Sequence, residues 1–312
     1  MNHLYKSIGI SKQAVNQYQK RQNNLNERAI GLMAEVDALR EEYPGCGVEK
    51  MYYTLRPEFI GRDKFIELFM SLGYRVKKPK NYIRTTVPGH LSYPNLIEGM
   101  YVNRPNQVWQ SDITYFQVKG KFYYLVFIID VYTRKIIGYQ VSDHMRAEAN
   151  IIALKQAIKS QKVPLKGLIH HSDRGSQYVS NKYRELLSNN GIHISMGLKG
   201  QDNAYAERIN GTIKNQYLNG WKIETYRQLK ARTKNAVSHY NKKRIHDSLP
   251  RRNSPCQFEE SLVSFGNRKR PEMVIHADGR SKVKTSYYQG EFAPERESNT
   301  HFCPTTSMKI LN

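Results

Sequence analysis

Residues 107–118 read Q-V-W-Q-S-D-I-T-Y-F-Q-V, residues 121–132 read K-F-Y-Y-L-V-F-I-I-D-V-Y, and residues 135–141 read K-I-I-G-Y-Q-V. All three are rich in β-branched and aromatic residues, the composition of strands. Only Lys119-Gly120 separates the first two, which predicts a tight hairpin connection. Downstream the periodicity changes. Arg146–Ser160 places Ile151, Ile152, Leu154 and Ile158 on one helical face. A strand over Gly167–Asp173 follows, then a helix over Asn181–Asn190 stopped by Gly191, a short strand over Ile192–Met196, and a helix from about Asn203 to Leu218. Three consecutive strands followed by helix–strand alternation imply an α/β fold, with a mixed sheet covered by helices.

Upstream, Ala29, Leu32, Met33, Val36 and Leu39 predict a helix over about 25–42, broken by Pro44, Gly45 and Gly47. Val48, Met51, Tyr52 and Leu55 predict a second helix. Asp63 to Leu72 predicts a third, with Gly73 as its stop. A basic exit follows at Arg75, Lys77, Lys78, Lys80 and Arg84, interleaved with Tyr74 and Tyr82. Short helices with such an exit suit a helix-turn-helix-like module meeting a DNA backbone, with a plain helical bundle with a solvated basic edge as the alternative. Pro88, Pro94 and Pro105 mark residues 85–106 as a linker. The domain reading is therefore an N-terminal helical region over 1–84, the linker over 85–106, the α/β core over 107–220, a basic helix over 221–260 that completes the core, and a basic appendage over 261–312. The helix in that fourth segment is predicted over Thr225–His246.

The chain has 312 residues, allowing about two domains. Its 49 lysines and arginines against 27 acids leave a net charge of +22, and the usual partner of such a surface is a polyanion. The excess is spread as +6 over residues 1–104, +7 over 105–218 and +9 over 219–312, so several surfaces meet that partner. With 22 tyrosines, the chain is no disordered basic tail. Cys46, Cys256 and Cys303 lie far apart without a C-x-x-C pair, against a zinc ribbon or a secreted disulfide scaffold. No apolar run has the length of a membrane span, and the N-terminal residues lack the apolar stretch of a signal peptide. A soluble, intracellular, nucleic-acid-facing protein is the expectation.

In so basic a chain, acids at the ends of apolar strands are costly without a cation nearby. Asp112 lies inside V-W-Q-S-D-I-T-Y-F, and Asp173 ends G-L-I-H-H-S-D before a turn. Glu207 lies in the first turns of a helix, with Asn210 or Gly211 and Lys214 on its face. Converging carboxylates suit Mg²⁺ or Mn²⁺, hard ions that take oxygen ligands. Two such ions would serve an in-line phosphodiester displacement. Turn or capping roles for the aspartates, and a helix-dipole role for Glu207, fit the spacing as well.

The segments W-Q-S-D-I-T-Y (109–115), H-S-D-R-G-S-Q-Y (171–178) and D-N-A-Y-A-E-R-I-N-G-T-I-K (202–214), in this order, resemble the catalytic core of insertion-sequence transposases of the IS-three family, second-frame (OrfB) type. Retroviral integrases share that core. Y-N-K-K-R-I-H-D-S-L-P (240–250) with S-P-C-Q-F (254–258) resembles the family's closing segment. P-G-C-G-V-E-K-M (44–51) and the helix before L-G-Y-R-V-K (72–77) resemble its helix-turn-helix-like N-terminal region. The resemblance covers about 42–260. It implies an RNase H-like core in which Asp112, Asp173 and Glu207 hold two Mg²⁺ or Mn²⁺ ions. It also implies nicking at the element's end, attack by the freed 3′ hydroxyl, and a circular intermediate. Lys214 matches the family's basic residue after the glutamate. The segment G-L-K-G-Q (197–201) is shorter than the family's usual loop.

Arg174, Gln177 and Arg208 beside the acids are expected to meet phosphate. Lys242, Lys243, Arg244, Arg251 and Arg252, with Lys77, Lys78 and Lys80, are expected to touch the DNA backbone. His170 and His171 are expected in structural hydrogen bonds, and Trp109 in the core. The partners implied are double-stranded DNA at element ends and target, further copies of the chain on DNA, and a first-frame (OrfA) product or a fusion with it. No heptad pattern marks the oligomer. The implied location is the bacterial cytoplasm, at the nucleoid. A structure-selective nuclease on the same fold and a non-catalytic DNA-binding regulator are the rival readings.

Overall fold

In the computed structural model of the chain, the described residues are 9, 11–76, 92–197, 200–265, 270–278, 282–284 and 287–288. Lys77, Lys78 and Lys80 lie outside them.

The hairpin forms where the sequence places it. Strand β2 (Val108–Val118) pairs antiparallel with β3 (Lys121–Asp130) from Trp109↔Asp130 to Val118↔Lys121. Lys119 and Gly120 both take positive φ, 47° and 84°, matching the twist a two-residue hairpin turn requires. β4 (Ile136–Ser142) continues antiparallel on β3. After helix α4 (Ala147–Lys159), β5 (Ile169–Ser172) pairs parallel with the other edge of β2. After helix α5 (Asn181–Asn189), β6 (His193–Met196) pairs parallel with β5. The resulting order, β4-β3-β2-β5-β6, is the mixed sheet of an RNase H-like core.

Side chains alternate between two cores. Leu125, Phe127 and Ile129 face helices α6 (Ala204–Thr212) and α7 (Tyr226–Lys242), while Val126 and Ile128 face α4 and α5. Helices therefore cover both faces. A one-turn π-helix over Ile213–Tyr217 follows α6, and the sequence had suggested one continuous helix to Leu218. α7 opens on a Thr225–Gln228 capping box and ends at Lys242 instead of His246.

The first helix, α1 (Lys12–Glu42), begins at Ser11, whose hydroxyl accepts the Ala14 N–H. The apolar period had placed its start near residue 25, because the preceding residues are polar on nearly every face and almost all exposed. Helices α2 (Val48–Leu55) and α3 (Arg62–Ser71) follow. Their Met51, Phe65 and Phe69 join the same core as Ile209, Tyr217 and Leu229 of the α/β region. The turn after α1 is pinned there: Gly45 N–H donates to the Gln216 carbonyl at 2.7 Å, and the Trp221 indole donates to the Glu41 carbonyl at 2.9 Å.

Residues 92–106, expected as linker, are packed: Ile97 and Val102 are buried. β1 (Tyr101–Val102) pairs with β7 (Glu272–Val274), which also pairs with β10 (Tyr287–Tyr288); β8 (His276–Asp278) pairs with β9 (Lys282–Lys284). Part of the C-terminal appendage is thus strand. Among the described residues, no helix is long and apolar enough to cross a membrane.

Candidate active site

Asp112 and Asp173 are 61 residues apart in the chain, and the sheet makes them neighbours. Ser111 pairs with Ser172 in the parallel β2–β5 register, so the next residue of each strand path carries its carboxylate to the same edge. Paired strands lie about 4.8 Å apart. Strand alternation turns Ser111 toward Tyr178, whose hydroxyl lies 3.0 Å from Ser111 Oγ, and turns Asp112 the other way, toward α6. There Asn210 Nδ2 donates to Asp112 Oδ2 at 2.8 Å, and the Ile113 N–H donates to Oδ1 at 2.8 Å. Asp173 Oδ1 accepts the Gly175 N–H at 3.0 Å. A Cβ on Gly175 would lie 3.0 Å from that same oxygen, so glycine leaves the edge of the carboxylate open. Glu207 stands three residues before Asn210, hence on the same face of α6.

The three acids feel one another. Burial pushes the Asp112 carboxyl well above the usual range, and the charges of Asp173 and then Glu207 push it further against the bonds from Ile113 and Asn210. Burial also raises Asp173. Glu207, more exposed, is raised by partial burial and by Asp173. None of the three forms an ion pair among the described residues, although the chain carries a net charge of +22. Asp130 on β3 shows the contrast. It is deeper, fully buried where Asp112 is half-buried, yet it accepts bonds from Thr133 N, Thr133 Oγ1 and Asn106 N, each at 2.7 Å, as a turn aspartate should. Oxygen-only donors that repel one another fit a hard divalent cation. The set is open: among the described residues, no three Asp, Glu, His or Cys side chains are drawn together as a ready-made metal cage.

The basic residues divide. Lys214 is half-buried with its ammonium 4.5 Å from the centre of the Tyr115 ring, and burial lowers its pKa. Arg174 and Gln177 lie in the turn after Asp173; Gln177 Nε2 donates to the Met145 carbonyl. Arg208, Lys242, Lys243 and Arg251 are exposed. Lys243 pairs with Glu42 at 2.7 Å, and Arg252 lies over the Tyr53 ring at 3.6 Å and pairs with Asp247 at 3.4 Å. Arg244 corrects the sequence reading. It is 9% exposed, and its guanidinium donates to Tyr43 Oη, Gln216 Oε1 and the Ile245 carbonyl, so it is not available to a DNA backbone.

His170 and His171 are buried against Tyr183 Oη at 3.0 Å and Ser195 Oγ at 2.8 Å, in structural roles as expected. Trp109 is core, its indole donating to Asn106. Sequence reasoning missed Gln110 and Asn203, which tie β2 to α6. Strand alternation was the available signal for Gln110, since it stands two residues before Asp112 and so shares its face.

The Integrase core domain family matches residues 102–201, and a second Integrase core domain family matches residues 190–253. The Insertion element IS600 uncharacterized 31 kDa protein of Shigella sonnei is 36% identical over 207 residues, covering 64% of this chain and 75% of that protein. A putative transposase for insertion sequence element IS986/IS6110 of Mycobacterium tuberculosis is 32% identical over 244 residues, covering 73% and 86%. Transposase InsF for insertion sequence IS3A of Escherichia coli (strain K12) is 32% identical over 198 residues, covering 62% and 68%. Among solved structures, the HTLV-2 integrase catalytic core domain in complex with magnesium aligns with a TM-score of 0.41 at 22% identity, covering 53% of this chain and 99% of that one. With an integrase core on the page and relatives matched over most of their length, the chain belongs to the insertion-sequence transposases of the integrase-core type.

Proposed function

We propose that this transposase cuts and joins DNA strands at the ends of its insertion sequence in a metal-dependent reaction, with Asp112, Asp173 and Glu207 as the catalytic carboxylates. One observation carries the reading: three acids whose charges act on one another form no ion pair among the described residues of a strongly basic chain. Mg²⁺ or Mn²⁺, two ions per site, would be held by these three side chains and would supply charge stabilisation to both the attacking and the leaving oxygen.

The chemistry balances without an external energy source. In the first step a water oxygen attacks phosphorus, the P–O3′ bond breaks, and a 3′ hydroxyl is freed. In the second step that hydroxyl attacks another phosphodiester: one P–O bond forms, one breaks, and the proton leaves with the displaced 3′ oxygen. Joining one element end to the other in this way gives a circular intermediate. Lys214, Arg174, Gln177 and Arg208, close to the acids along the chain, would orient phosphate. Lys242, Lys243, Arg251 and Arg252 hold duplex DNA farther out, by charge and without reading bases. Uniting two ends calls for more than one copy of the chain, and a first-frame (OrfA) product or fusion would supply end recognition.

Labelled element ends in Mg²⁺ test the reading. Joined products are expected, with Asp112→Asn, Asp173→Asn and Glu207→Gln each lowering joining by about a thousandfold or more while DNA binding persists or strengthens. Nicks without joining would point to a nuclease. No reaction in Mg²⁺ or Mn²⁺ would leave a DNA-binding regulator.

A further inference from the structure

We infer that Gln110 is a positioning residue: its side-chain amide clamps the first turn of α6 to β2 and so sets the separation of Asp112 from Glu207. The inference rests on the proposed roles of those two acids.

Helix α6 lacks a cap of its own. Its N-cap residue, Asn203, makes no capping bond; the Asn203 side chain donates instead to the Ser111 carbonyl on β2 at 2.8 Å. The first N–H groups of a helix have no partner within it and need one from elsewhere. Gln110 provides it. The side-chain oxygen Oε1 accepts the Tyr205 N–H at 3.0 Å and the Ala206 N–H at 3.3 Å, and Nε2 donates to the Asp202 carbonyl at 3.2 Å. The residue is fully buried.

The clamp has a definite geometry. Gln110 and Asp112 are two apart on one strand and face α6 together. Gln110 grips the turn just before Glu207, and Asp112 receives Asn210 one turn later. The helix bearing the third acid is therefore fastened to the strand bearing the first at two points. Glutamine alone fills the Gln110 role. Glutamate would meet the Asp202 carbonyl with a second acceptor, methionine would supply no donor and only a weak acceptor, and asparagine is one methylene short.

A simple structural role and a positioning role predict different results. In the full-length chain, Gln110→Met and Gln110→Asn are expected to speed hydrogen exchange at the Tyr205 and Ala206 amides by about tenfold or more, with exchange in β3 and α7 unchanged. Strand joining at saturating DNA is expected to fall by about tenfold or more, with the DNA dissociation constant within about twofold of wild type. Gln110→Glu, which keeps the acceptor for both amides, is expected to restore most of their protection. If Gln110→Met fails to fold, the asparagine variant gives the same readout. Unchanged exchange at the two amides, or faster exchange with undiminished joining, overturns the clamp. Loss of protection throughout the molecule together with lost DNA binding in the asparagine variant does so too. If wild-type protein itself joins nothing, the proposed function fails instead, whatever Gln110 does.

Discussion

Two regions of this molecule gather charge where helices meet the sheet or one another, and they treat it in opposite ways. Arg244, just past the end of α7, sits against the end of α1 and the π-helix after α6, where Tyr43, Gln216 and the Ile245 carbonyl all offer it oxygen acceptors. Its charge is spent within the fold, locking the N-terminal helices to the α/β region. Asp112, Asp173 and Glu207 receive few donors, Asp173 raises the pKa of both Asp112 and Glu207, and among the described residues none of the three forms an ion pair. A buried charge provided with partners is architecture. Clustered carboxylates left wanting them mark a place for a ligand.

The contrast can be broken at either end. The largest expected effect is at the satisfied site. Arg244→Ala strands several buried acceptors and should cost about 3 kcal/mol or more of stability, seen as a lowered melting temperature; Arg244→Lys, lacking the planar fork, should not rescue it. A variant as stable as wild type would show that the arginine is not structural.

Next comes acid. His239, bonded to Tyr217 Oη at 2.9 Å beside Arg244, is pushed by burial from its ordinary value down to about 4. The unfolded chain takes up that proton first, near pH 6.5, so stability is full above that pH and falls as the solution is acidified toward pH 4. This histidine's share is about 3 kcal/mol. Urea unfolding of wild type and His239→Gln across this range checks it: the variant's loss should be shallower, and parallel curves would refute the assignment.

At the unsatisfied site the sign reverses. Asp112→Asn removes one of three repelling charges and should raise the melting temperature in EDTA while joining is lost. A destabilised variant would mean that the carboxylate is held by partners after all. The smallest effect is at Lys214. Lys214→Ala should weaken DNA binding and lower the slope of log affinity against log salt by about 1, and an unchanged slope excludes a phosphate contact.

Much of this was legible in the sequence. Alternation and turn residues located the hairpin, and the break to helical periodicity located the layers. The motifs around Asp112, Asp173 and Glu207 carried the family. What pattern could not carry was partnership across the fold. Arg244 reads as one more base in a basic run, and only the packing of Tyr43 and Gln216 around it withdraws it from the surface. Gln110 reads as a polar strand residue, and its role appears once α6 lies over it. The start of α1 was missed because its polar first half has no apolar stripe to count.

The most direct test is uptake of Mn²⁺ by the metal-free full-length chain, followed through the electron paramagnetic resonance of the free ion. Wild-type protein should take up two ions per chain at the carboxylate site, and the Asp112→Asn, Glu207→Gln double variant should take up none there while remaining folded. Equal uptake by both proteins, or none by wild type even with DNA bound, would contradict a divalent-metal site at these three acids.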